Sequence, residues 1–269
     1  MTDRGDLISL VTHPVGNGPH NIVLPLERFD SLPPIQESAA WGEDRLQVNG
    51  LEVELSYAET WNAKPDWKRI RAGRAQIQNA LPALVVLLRK RAPDPGIIRL
   101  LDGRSSGQQS IEAHFAEALI EPASTFISAL QRTQSAAAIE GALGLAGLGS
   151  GFTPAGDDYI CGAMLACWAG FVDADMRRDL PEIAQKAGQR TNRISAAYMH
   201  SAAVGEFGRV WHALLENLIR ADTHQTSQVA AEIISIGHNS GAYTLTGFIQ
   251  LVNKGRSEHG HSSGQDMNA

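Results

Sequence analysis

Short runs with partial alternation of apolar and polar positions open the chain. LISLVT (7–12), HNIVLPL (20–26) and LQVNGLEVEL (46–55) are rich in Val, Ile and Leu and predict strands. The turn clusters HPVGNGP and SLPPIQES separate them, and Asn49-Gly50 divides the third run as a hairpin turn. Residues 1–62 therefore predict a small, mostly antiparallel β unit. From Trp67 the period becomes helical. A helix is expected over 67–91 with an interruption at Pro82, then a turn at RAPDPG. Further helical patterns fall at 109–120, 122–133, 136–146, 158–171, 176–203, 207–221, 225–235 and 241–253. The polar tail 254–269 has no periodicity and predicts disorder. The expected fold class is α+β: the β unit, then a large helical domain over 63–253. That domain is rich in Ala and Gly, so close helix packing is expected.

Composition narrows the function classes. Of 269 residues, 43% are hydrophobic and 19% charged, which suits a globular chain with a sizeable core. A formal net charge of −6 favours neither nucleic acid nor an anionic membrane as a partner. The longest apolar run, LPALVVLL at 81–88, falls far short of the roughly 20 residues of a membrane span. MTDRGDLISLVTHPVG lacks the apolar core of a signal peptide, so the expected location is the cytoplasm. Cys161 and Cys167 lie six apart on one expected helix and point in different directions, so a disulfide between them is not expected.

The candidate chemistry concentrates in GLGSGFTPAGDD at 147–158, directly before the apolar run YICGAMLACWAG. Glycines let a backbone take positive φ and approach a ligand closely. Ser150 and Thr153 add hydroxyls, and the helix is expected to start at Asp157 or Asp158 with a carboxylate as its N-cap. Free N–H groups at a helix start beside a glycine loop form an anion-binding concavity. The second Asp, about 100° around the axis, is placed to meet a cation or an amide. No Lys follows the glycines as in a Walker A loop. Phe152 occupies the third glycine position of a dinucleotide fingerprint.

This motif has an echo. PAGDDYICG (154–162) and NSGAYTLTG (239–247) align without gaps, matching Gly156 with Gly241, Ile160 with Leu245 and Gly162 with Gly247. Two such turns predict a paired arrangement around one cleft. A third polar island, RTNRIS (190–195), offers Thr191, Asn192 and Ser195 to the same cleft or to a solvated helix face. His238, beside Asn239 and Ser240, is a candidate for proton transfer or for a turn role. The candidate binding residues are Gly149, Ser150, Gly151, Thr153, Gly156, Thr191, Asn192, Asn239, Ser240 and Gly241, with Asp157, Asp158 and His238 as catalytic candidates. Whether Mg²⁺ bridges an Asp to phosphate stays open at this level. A purely structural role, with Asp157 as a cap and the glycines for packing, is a competing reading.

GLGSGFTPAGDDYICG resembles the signature G-x-G-P-G-x-T-P-S-G-D-D-[FY]-[LI]-x-G of a bacterial family of formerly unknown function. RTNRIS, IGHNSGAYTLTG and NGPHNIVL (17–24) resemble its further segments in the same order. Ser150 stands where that family usually has Pro, Ala155 where it often has Ser, and Tyr243 where an acidic residue is expected. The family includes a subunit of the oxamate carbamoyltransferase of allantoin-degradation clusters, which interconverts oxalurate and phosphate with oxamate and carbamoyl phosphate. The resemblance implies a carbamoyltransferase subunit with a small anionic substrate and partner subunits. The alternative is a non-catalytic anion-binding or regulatory subunit.

Overall fold

The computed structural model describes residues 7–29, 39–48, 51–102 and 111–259. Its N-terminal part holds two small sheets. Strands β1 (Ser9–Thr12) and β2 (Asn21–Leu24) pair in parallel, with Ser9 opposite Asn21. Strands β3 (Ala39–Trp41), β4 (Arg45–Val48) and β5 (Leu51–Glu54) form an antiparallel meander. Val48 pairs with Leu51, which is the hairpin register that Asn49-Gly50 predicts, although the two turn residues lie outside the described set. The SLPPIQES turn lies wholly outside it as well. The first pair departs from the antiparallel expectation because the chain loops back over 13–20 before re-entering beside β1. A tight two-residue turn would have reversed it. Leu24, Leu46, Val48 and Val53, drawn from both sheets, make a satellite core of their own.

The helical body follows. Helix α1 (Trp67–Ala72) and helix α2 (Arg74–Arg91) are divided at Gly73, not at Pro82, which sits inside α2. A Cβ on Gly73 would lie 2.6 Å from Ile219 Cγ2, so a helix packed across this joint selects the glycine. Helix α3 (Pro95–Asp102) begins within the expected RAPDPG turn and continues through residues to which the sequence assigned no element, and helix α4 (Ile111–Gln131) runs unbroken through Pro122. Helix α5 (Ser135–Leu145) presses against α4, with Gly141 against the backbone of Phe126 and Gly144 against Pro122. Helix α6 (Ala155–Ala166) ends in a π turn, Cys167–Phe171. The expected 176–203 helix is two, α7 (Ala174–Gly188) and α8 (Arg193–Ala203). The break falls at the polar island, where Asn192 caps α8 by accepting from Ile194 N at 2.9 Å and Ser195 N at 3.0 Å. Helices α9 (Arg209–Ile219), α10 (Thr223–Ile234) and α11 (Ser240–His259) complete the body, α11 extending past residue 253. The remainder of the polar tail, 260–269, lies outside the described residues. Among the described residues no helix is long and apolar enough to cross a membrane.

Helices α6 and α11 form the centre. A Cβ on Gly162 would lie 1.8 Å from Thr244 O, and one on Gly247 would lie 2.2 Å from Tyr159 O. These contacts are reciprocal, since the gapless alignment matches Tyr159 with Thr244 and Gly162 with Gly247. The matched glycines at the two helix starts repeat the device. Cβ atoms there would lie 2.0 Å from Leu145 O at Gly156 and 1.8 Å from Ile233 O at Gly241, each facing the end of a preceding helix.

Candidate functional site

The glycine loop leaves α5 at Leu145 and reaches α6 through three residues of positive φ: Gly147 at 78°, Gly149 at 114° and Gly151 at 99°. Other residue types adopt this region at a cost of roughly 1–2 kcal/mol each. Leu148 O accepts from Gly156 N at 2.9 Å, which folds the loop back over the helix start. Helix α6 begins at Ala155 with Pro154 as N-cap, and neither Asp is the cap. Asp157 is turned back instead. Its Oδ1 accepts from Gly147 N at 2.8 Å and its Oδ2 accepts from the Thr191 hydroxyl. It is 1% exposed, and burial raises its pKa against the hydrogen bonds of Thr191 and Gly147. Asn192 Nδ2 donates to Phe152 O at 2.9 Å. Thus Asp157, Thr191 and Asn192 brace the loop from behind, and the polar island does not open onto the cleft.

The front of the loop lines a cavity of about 360 Å³. Gly149, Ser150, Gly151, Thr153 and Asp158 come from the first motif, and His238, Asn239 and Ser240 from its echo. The two helix starts meet where Thr153 Oγ1 and Ser240 Oγ hydrogen-bond at 2.7 Å. Among the described residues, the backbone N–H groups of 149–153 and 237–240 have no protein acceptor. Two strings of residues with free donors, at two helix starts, therefore line one space. Gly156 stays behind this surface with its N–H already used, and Gly241 lies to one side.

Asp158 is one of two carboxyl groups in the cavity lining. Its Oδ2 is buried without a partner, as is Asn239 Oδ1. Burial pushes the Asp158 carboxyl up to about 8, more than the Ser240 and Thr153 hydroxyls beside it lower it. The group is thus largely neutral at pH 7, able to donate one hydrogen bond and accept another. His238 is exposed at the rim.

Sequence reasoning missed Asp94. It lines the same cavity and accepts from the Tyr243 hydroxyl at 2.7 Å, while its other oxygen accepts from Gly96 N at 2.7 Å at the start of α3. Tyr243, noted in the sequence for not being acidic, therefore carries its own carboxylate partner, supplied from far away in the chain. Asp-Pro before an apolar run was the available signal for a helix start there. Among the described residues no Lys or Arg lines the cavity, and no group of three or more His, Cys, Asp or Glu side chains is placed to hold a metal ion. Both cysteines are free thiols whose pKa values burial raises.

The architecture is thus a helical body whose two central helices begin at one cavity. Residues 145–252 match the model of a protein family described as oxamate carbamoyltransferase subunit AllH. The matched stretch starts at the end of α5 and closes within α11, so it contains both motifs and the island that braces the first. No solved structure matches the chain.

Proposed function

We propose that the chain acts as a subunit of a carbamoyltransferase for oxamate or a closely related amide, and that the glycine-lined cavity holds the phosphate group of carbamoyl phosphate. The observation that carries this reading is the convergence of two helix starts, with unpaired amides, on one cavity. Such fixed donors bind a phosphoryl anion without a cationic side chain and need no rearrangement as charge develops on it. A dianion tolerates Asp158 alongside only while that carboxyl is neutral, in accord with its raised pKa.

Asp158 then faces the carbamoyl group. In the direction that forms carbamoyl phosphate, an oxygen of hydrogen phosphate bonds to the carbamoyl carbon and the C–N bond of the ureide breaks. Asp158 gives its proton to the departing amide nitrogen and recovers one from the attacking hydrogen phosphate. His238, at the rim, exchanges protons with solvent. Asp157 holds the loop in shape through Gly147 and Thr191.

The test is turnover of carbamoyl phosphate with oxamate by the chain purified with its natural partners. Asp158→Asn is expected to abolish it while phosphate still binds. Saturable phosphate binding with no turnover, all partners and cosubstrates present, would instead establish the regulatory-subunit reading.

A further inference from the structure

A second cavity, of about 380 Å³, adjoins the first. Thr153, Asp158, Gly237 and Ser240 line both, so the hydroxyl pair and the Asp158 carboxyl stand in a common wall. The far side of the second cavity comes from distant parts of the chain: Asn17 in the β1–β2 loop, Tyr198 in α8, and Arg209 and Trp211 at the start of α9.

Arg209 ties these parts together. Its backbone N donates to Asn17 O at 2.9 Å and its Nη2 to Pro14 O at 2.7 Å. The side chain lies over Gly16, whose φ is +73° and whose Cβ, if present, would sit 2.0 Å from Arg209 Nε. Glu232 pairs with the same Nη2 at 3.7 Å, and Nε reaches Val15 O at 3.4 Å. Nη1 has no partner among the described residues. The two cavities thus divide their chemistry. Among the described residues the first has no cationic side chain in its lining, whereas the second has Arg209, together with Tyr198, Trp211 and the Glu206 carboxyl, which pairs with Lys64 at 3.8 Å.

We propose that the second cavity is the subsite for the carbamoyl acceptor, a small amide bearing a carboxylate, with its carboxylate toward Arg209 and its amide nitrogen toward Asp158. This rests on the carbamoyltransferase reading above. Group transfer needs the two reacting atoms held next to each other. Two ligand spaces sharing one carboxyl and two hydroxyls meet that need, with the two negative ends of the reactants kept on opposite sides of the wall. The β1–β2 loop then has a task, since it supplies a wall of this chamber.

The experiment titrates oxamate and inorganic phosphate separately, by calorimetry, into the partner-bound chain carrying no change, Arg209→Gln, or Asn17→Phe. Asn17 is an exposed loop residue, so Asn17→Phe fills the chamber without touching the core. Oxamate affinity is expected to fall at least about tenfold in both variants, with phosphate affinity unchanged within about twofold. Unchanged oxamate affinity in both folded variants, with phosphate still bound, overturns the subsite and leaves the phosphate site standing. Loss of oxamate binding in the variants of a chain that never binds phosphate supports the subsite and refutes the phosphate reading instead.

Discussion

Replacing Asp158 with Asn should make the protein more stable in alkaline solution, and the gain can be worked out from the site. Burial lifts the carboxyl from 3.8 to about 8. The folded state therefore keeps a proton that the unfolded chain releases near pH 4. Stability from this group is full below pH 4, falls as pH rises, and is lost once pH passes about 8. At about 1.4 kcal/mol per pH unit, the loss across that window is on the order of 5 kcal/mol. Asn has nearly the same shape and no proton to release, so the decline vanishes in the variant. Urea unfolding of both proteins at pH 5, 6, 7, 8 and 9 measures the difference. The variant's advantage should grow by a few kcal/mol between pH 5 and 9 and level off above 8. Other titrating groups cancel in the comparison. A difference between the two proteins that does not change with pH would show that Asp158 ionises as readily folded as unfolded, and the neutral-acid role would fall with it.

Phosphate affinity should drop as pH rises through about 8, because an ionised Asp158 repels the anion, and Asp158→Asn should flatten that drop in a calorimetric titration. Gly162→Ala and Gly247→Ala push a methyl group into a backbone carbonyl and should each cost about 3 kcal/mol or more, read as lost melting temperature. Gly151→Ala, with nothing within 4 Å of the new methyl, should cost only the roughly 1–2 kcal/mol of its positive φ. Asp157→Ala leaves the Gly147 N–H and the Thr191 hydroxyl without their acceptor and should cost about 2–4 kcal/mol, with weaker phosphate binding at temperatures where the variant is still folded.

What the sequence showed and what it hid follow from how far each signal reaches. The β unit and most helices were legible because periodicity is local. The prolines misled: Pro82 and Pro122 look like breaks, yet α2 and α4 continue through them because tertiary packing outweighs one missing hydrogen bond. The real joint, Gly73, is set by Ile219, more than a hundred residues away. The glycine echo was legible because a backbone pressed on a backbone admits no other residue. The polar island was recognisable as important, but a string of letters has no front or back, and Thr191 and Asn192 stand behind the loop. Asp94 carried the mark of a helix start but none of a site, since it reaches the cavity from a turn before a short helix and is tied to the site by the hydroxyl of Tyr243.

The reciprocal glycines of α6 and α11 have a mechanical consequence. Where one main chain rests directly on another, no side chain lies between them to change rotamer and absorb a displacement. The separation of the two helix starts is then set by covalent geometry and atomic radii, and the amide donors hold their spacing whether the cavity is full or empty. Adaptation to ligands of different size falls to the parts outside this frame, the β1–β2 loop foremost. A relative that acts on another substrate is expected to keep the glycines and vary that loop.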